Sequence, residues 1–315
     1  MPHAATAAAL PAGPEAWLTN GPFTDPRDEA PRLARLAARA GKDPRALAEV
    51  VRSVMVHVHW RDAYGLADDA ARAYAETNLR DVRAKLRRIG ELEASLGRSP
   101  DDVAPLPPPQ KLVSNCRDHS VLYAALLRNA GIPARVRCGF GGYFERGKWI
   151  DHWVVERWDG RRWVIGDPQL DGTMKAALRL DFDPMDLPGG AFVSGGEAWR
   201  ACREGGDDPQ RYGILEFWGW EFVCANLVKD VAALAGRELL PWDAWGIMLT
   251  PYAELSPAAL AALDALARAT PMRASLSAAD AAELAARPGI ALPRTIVSFG
   301  RGAPEDVDLG PILDA

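Results

Sequence analysis

The stretch SNCRDHSVLYAALLRNAGIPARVRCGF, residues 114–140, constrains this chain more than any other. Val121, Leu122, Ala125 and Leu126 recur at helical spacing, and Gly131 followed by Pro133 supplies a stop. The pattern predicts a helix that opens at Cys116. Past the stop, the residues from Arg135 to Phe140 alternate polar and apolar, as a half-buried strand does. A cysteine at that helix end faces the positive pole of the dipole, which favours a thiolate, and a nearby imidazolium lowers the thiol pKa further.

Two short segments follow. In DHWVVERW, a strand places His152, Val154, Glu156 and Trp158 on one face and Trp153, Val155 and Arg157 on the other. Asp159-Gly160 marks a tight hairpin, and RRWVIGDPQ returns to Asp167 just before Pro168. Pairing outward from that turn sets His152 opposite Asp167, within hydrogen-bonding reach. A thiol nucleophile, an imidazole base and a carboxylate that orients the base are what thiol acyl chemistry requires.

These blocks resemble the transglutaminase-like superfamily: the helix over 116–130, the turn Gly131-Ile132-Pro133-Ala134-Arg135, the pair His152-Trp153, and the Trp163 strand ending in Asp167-Pro168. The likeness spans about 111–172. One departure is Ser114-Asn115 before the cysteine, where many relatives have a glycine-containing turn. The resemblance implies an α+β fold with a papain/transglutaminase-like core, a Cys-bearing helix packed on an antiparallel sheet, here with added N- and C-terminal helices. It implies Cys116, His152 and Asp167 as the catalytic set. Asn115, Trp60 and Trp153 are oxyanion or substrate-lining candidates, core packing being the plainer role for Trp60. Because the family includes peptidases, amidases and amide-forming transferases, it implies a peptide or small-molecule acyl donor, and water or an amine as acceptor. No cofactor or metal is expected.

At 315 residues, 48% of them hydrophobic, the chain can bury a sizeable core. Its net charge of −5 comes from 37 basic and 42 acidic residues without long single-sign blocks, which argues against nucleic-acid and membrane-surface partners. The cysteines Cys116, Cys138, Cys202 and Cys224 form no CxxC pair, so neither a disulfide framework nor a zinc ribbon is expected. With no basic N-terminal region, with Pro11 and Pro14 interrupting the alanines and with no bilayer-length apolar run, the expected location is cytoplasmic.

The chain divides into an arm (1–26), a helical N-terminal region (27–110), the catalytic core (111–190) and a helical, aromatic-rich C-terminal region packed on it (191–315). Helices are expected over 28–40, over 43–58 with Asp43 as cap, and as one or two segments over 68–96. Glu76, Arg80, Asp81 and Lys85 belong to the solvated charges of that last stretch. A proline-rich link, 100–109, leads to the core. Beyond it come a helix over 195–203, Ser-capped helices over 256–269 and 277–286, and a loop from Phe299. Phe217, Trp218, Trp220, Phe222, Trp242 and Trp245 either pack this region or line a pocket.

Other assignments compete. His119 is a rival base and Asp171 a rival to Asp167; His57 and His59 could pair on a metal or simply pack. Cys138 and Cys224 read as buried and inert, and Asp181, Asp183 and Asp186 as an ordinary turn. Against the enzyme stands a catalytically silent module that binds a peptide or partner. A metal site from Cys116, His119 and His152 lacks recognisable spacing.

Overall fold

A computed structural model describes residues 13–66, 69–99, 102 and 104–314. The first twelve residues of the expected arm, Asp68, and positions 100, 101 and 103 of the proline-rich link lie outside the described residues. The fold mixes helices and sheet in the α+β manner.

Helix α1 (Ala30–Ala38) leads to α2 (Pro44–Val54), whose cap Asp43 accepts the Arg45 N–H at 3.0 Å. The expected continuation to residue 58 is a correction: the helix ends at Val54 and the chain runs on as strand β1 (Met55–His57). Its partner is β2 (Leu112–Ser114), in parallel register His57↔Ser114, a pairing that no local pattern announces. Between them lie α3 (Ala70–Thr77) and α4 (Val82–Ser95), so the long charged segment is two helices. Not all of its charges are solvated. Lys85 is fully buried with its ammonium 3.0 Å from Asp118 because α4 packs against the cysteine helix, and buried Glu76 accepts the Val113 N–H at 2.7 Å because α3 packs against β2.

That helix, α5 (Cys116–Asn129), is followed by β3 (Ala134–Gly141), β4 (Trp149–Trp158) and β5 (Trp163–Gly166). Strands β3 and β4 pair antiparallel with Gly139 opposite His152 and Cys138 opposite Trp153. Val136, Cys138, Trp153 and Val155 form one face and pack against Val121, Leu122 and Leu126 of α5, with Leu47, Val51, Leu86 and Ile89 behind. Each such buried side chain is worth about 1.5–3 kcal/mol, so this face, and not intrinsic propensity, seats α5 on the sheet.

The other face of β3 corrects the expectation of a half-buried strand: it is buried on both sides. Arg137 binds Asp230 through two hydrogen bonds of 2.9 and 2.7 Å and reaches Glu156 at 2.8 Å. Arg135 meets the same Glu156 oxygen at 2.6 Å. The carbonyls of Thr270 and Ala274 accept from Arg137 and Arg135 respectively, so the C-terminal region covers what the alternation assigned to water.

After α6 (Gly172–Leu178), which belongs to the expected core, that region contains β6 (Phe192–Ser194), α7 (Gly195–Arg203), β7 (Tyr212–Ile214), β8 (Phe217–Trp218), α8 (Trp220–Leu234), β9 (Asp243–Ala244), α9 (Pro257–Ala269), α10 (Ala278–Ala285), β10 (Thr295–Arg301) and β11 (Ala303–Asp308). It is therefore not purely helical. Strands β6, β7 and β8 extend the main sheet to the order β6-β3-β4-β7-β8, and β11-β10-β9 form a second sheet where a loop tail was expected. The acidic run Glu305, Asp306 and Asp308 hides strand β11, which pairs through its backbone with β10. Of the aromatic cluster, Trp220, Phe222 and Trp245 are packing, whereas Phe217 is exposed. Trp199, Trp245 and Val223 share a core with Phe140, and Trp220 stacks on Tyr252 at 4.3 Å. Cys138 and Cys224 are buried as expected, burial pushing the Cys224 thiol up to about 12.

Candidate active site

The β4–β5 hairpin differs from the expected one. Its pairs are Trp158↔Trp163 through Val155↔Gly166, two residues out of the register that set His152 opposite Asp167. The turn is centred one residue later, on Gly160-Arg161: the Asp159 N–H donates to the Arg162 carbonyl at 3.2 Å, and the Asp159 carboxylate accepts the N–H groups of both Arg161 and Arg162 at 2.8 Å. Side chains alternate with period two, so an even shift leaves every residue on its expected face. Asp167 thus becomes a diagonal neighbour of His152, and the contact survives: His152 Nε2 lies 2.8 Å from Asp167 Oδ2.

The outer edge of β4 explains where the site lies. It pairs with β7 at Trp149 and Ile150 and with β5 from Val155 onward, leaving residues 151–154 without a strand partner on that edge. Into this gap α5 presents its first residue. The backbone N–H groups of Trp153 and Arg117 face the Cys116 side chain and favour its thiolate form. Cys116 and His152 make no direct hydrogen bond; the thiol is held one residue along the strand from the imidazole. Exposure is 6% for Cys116, 2% for His152 and nil for Asp167.

Asn115 caps α5. Its side-chain oxygen accepts the Asp118 N–H at 3.0 Å while Asp118 accepts the Asn115 N–H at 3.2 Å, a reciprocal box that fixes the cysteine at the helix start. The capping leaves Asn115 Nδ2 buried without a partner, and Trp153 Nε1 is in the same position. Trp60 is half-buried in the irregular helical turns over Val58–Tyr64.

The electrostatics overturn one expectation. Burial pushes the Cys116 thiol well above its ordinary value, and the carboxylates of Asp151 and Asp167 push the same way, outweighing the two backbone donors. At rest the sulfur is a thiol, because the desolvation of a fully enclosed anion exceeds what the helix end returns. Burial also opposes ionisation of Asp167, but the His152 charge and the donors His152, Tyr143 and Gln169 outweigh it and hold the carboxyl below its usual 3.8. An ionised carboxylate only accepts, so the facing Nε2 carries a proton and Nδ1 is the ring nitrogen turned away from Asp167.

The rivals are occupied elsewhere. His119 Nδ1 sits 3.0 Å from the Asn115 carbonyl, inside the first turn of α5. Asp171 caps α6 by accepting the Met174 N–H at 2.9 Å and takes the Tyr64 hydroxyl on its other oxygen. His57 accepts the His59 N–H at 3.2 Å and lies 6.4 Å from the His119 ring; burial lowers the pKa of all three. Among the described residues no group of three or more His, Cys, Asp or Glu side chains could hold a metal. In the acidic turn, Asp183 binds Arg45 and Asp186 binds Arg162.

Sequence reasoning missed Tyr143 and Phe144. Tyr143 Oη donates to Asp167 Oδ2 at 2.7 Å, and the Phe144 ring meets His152 edge-on at 4.7 Å. The available signal was the glycine run before them. A Cβ at Gly141 would stand 2.9 Å from the Phe144 ring, and one at Gly142 2.9 Å from Trp149, so only glycine lets the chain fold back over the histidine.

Residues 67–168 match the family model of the transglutaminase-like superfamily. The chain carries a transglutaminase-like domain. The match starts upstream of the resemblance read at 111–172, takes in α3 and α4 as well as the Cys116 helix and the β4–β5 hairpin, and closes at Pro168, directly after Asp167. Transglutaminase-like domains generally imply cysteine-based acyl transfer or hydrolysis. No curated protein and no solved structure matches the chain. Among the described residues, no helix is long and apolar enough to cross a membrane.

Proposed function

We propose that this transglutaminase-like domain carries out acyl transfer from an amide, ester or thioester through a Cys116 thioester, with His152 as base and acid and Asp167 as the group that orients it. The observation that supports this reading is the 2.8 Å His152–Asp167 hydrogen bond at the strand gap of β4, the strand on which the helix opened by Cys116 packs. Because burial favours the resting thiol, attack is coupled to proton transfer: the S–H proton passes to His152 Nδ1 as sulfur bonds the carbonyl carbon. The Cys116 N–H receives the oxyanion, joined by the unpartnered Asn115 Nδ2 or Trp153 Nε1. The imidazolium then protonates the leaving group and the thioester remains. Water or an amine attacks it, gives a proton to His152, and expels the thiolate, which recovers that proton. A peptide or small molecule is the acyl donor.

The closed, protonated thiol is also what a silent binding module would display, and the two readings separate experimentally. The full chain is incubated with p-nitrophenyl acetate, acyl thioesters and pooled peptides, and adducts are mapped by mass spectrometry. The enzyme reading expects an acyl group on Cys116, absent from Cys116→Ser and slowed in His152→Ala. Acylation no faster than that of free cysteine with every donor would leave the silent module.

A further inference from the structure

We infer that Tyr143 is a positioning residue for the proposed acyl transfer, fixing the Asp167 carboxylate so that the oxygen it shares with His152 stays aimed at the imidazole. The inference rests on the Cys116–His152–Asp167 reading.

Asp167 lies just past the end of β5, where no ladder holds its side chain. Three donors do so instead. The Gln169 N–H occupies Oδ1 at 2.9 Å, and Oδ2 takes both the Tyr143 hydroxyl at 2.7 Å and His152 Nε2 at 2.8 Å. Two donors converging on one oxygen from different elements define its position more tightly than either alone. Tyr143 is itself braced. Its ring stands edge-on to Phe182 at 5.6 Å, to Phe144 at 4.5 Å in a tilted contact, and edge-on to His152 at 6.0 Å. Burial and the Asp167 charge push the hydroxyl well above the ordinary tyrosine value, so it remains a donor throughout the working pH range. Besides Tyr143 and His152, the Asp167 charge also bears on Cys116 and His119.

The chemical consequence is a division of negative charge. While the phenol holds part of the Oδ2 electron density, the imidazolium formed during attack is stabilised less than by a free carboxylate, and it returns its proton to the leaving group more readily. Tyr143 therefore acts on the rate through Asp167 and His152 without touching substrate.

The test compares wild type, Tyr143→Phe, Cys116→Ser and His152→Ala as full chains, using p-nitrophenyl acetate as acyl donor. Tyr143→Phe keeps the braced ring and removes only the hydroxyl. The expected result is a fall in kcat of roughly tenfold with KM little changed, the size of losing one hydrogen bond to a charged group. The acid limb of the pH profile moves up, because Asp167 loses one of the donors that keep it ionised. Far-UV circular dichroism is unchanged, and melting falls by no more than the loss of that one hydrogen bond accounts for. A purely structural tyrosine would alter melting and leave the pH limb in place. A wild-type rate and pH profile in Tyr143→Phe, with activity abolished in Cys116→Ser and His152→Ala, overturns the role of Tyr143 alone. Turnover that survives in Cys116→Ser overturns the underlying acyl-transfer reading.

Discussion

Asp167→Asn perturbs the site with the least change of shape. The carboxylate holds three donors on two oxygens: Tyr143 Oη and His152 Nε2 on Oδ2, and the Gln169 N–H on Oδ1. An amide has one acceptor oxygen. Placed at the Oδ2 position, it keeps both side-chain donors and turns its NH2 toward the Gln169 N–H, leaving that buried donor unpaired at a cost of about 1–3 kcal/mol. The opposite flip faces two donors with a third and costs about twice as much, so the first is adopted. His152 then keeps its orientation and loses the anion behind it. Exchanging a charge-assisted hydrogen bond for a neutral one forfeits about half its worth, roughly 1–2 kcal/mol, or about 5- to 30-fold in acylation rate. Single-turnover release of p-nitrophenol measures the rate and urea unfolding the stability. The sign with pH also follows. The folded carboxyl lies below its usual 3.8, so its stabilisation is complete above the unfolded value and is lost as pH falls through the folded one. The stability gap between wild type and Asn therefore narrows in acid. A variant that acylates at the wild-type rate and shows no such narrowing would refute the reasoning.

Asp230→Ala strips Arg137 of two buried hydrogen bonds and the Cys138 N–H of its acceptor, and is expected to cost about 3–5 kcal/mol in urea unfolding; a loss under about 1 kcal/mol contradicts the buried pair. Glu238 is buried with both carboxyl oxygens unpartnered, and burial raises its carboxyl above the usual 4.5 against the pull of Arg128 and Arg117. Its protonated form suits the fold, so its favourable contribution is complete below 4.5 and is lost as pH rises through the folded value. Glu238→Gln should accordingly raise the urea midpoint more at pH 8 than at pH 5, and an equal change at both pH values counts against this. Asn115→Ser keeps a capping oxygen for the Asp118 N–H but removes Nδ2. If that amide holds the oxyanion, acylation falls roughly a hundredfold with stability nearly unchanged, and an unaltered rate shifts the role to Trp153.

Much of the site was legible because its signals are local. Helix caps at Asp43, Ser256 and Ser277 depend on residues within three positions of the helix start, and all three cap as their spacing implies. The faces of β4 follow from alternation alone. That is why a hairpin register wrong by two residues still brought His152 to Asp167. Other features were not legible, since their partners are far along the chain. Lys85 reads as a surface charge until α4 meets Asp118, Arg137 reads as solvated until Asp230 arrives from α8, and β1 reads as helix until β2 lies beside it.

The sequence by itself determined which residue opens the helix, which faces the strands present and the order in which thiol, imidazole and carboxylate occur, because chirality and side-chain periodicity act within a few residues. Tertiary structure alone decided that β4 has a gap between β5 and β7, that Tyr143 shares the Asp167 oxygen, and that Cys116 rests as a thiol. Those properties depend on how completely distant segments exclude water and converge on one place, and neither desolvation nor convergence has a local signature.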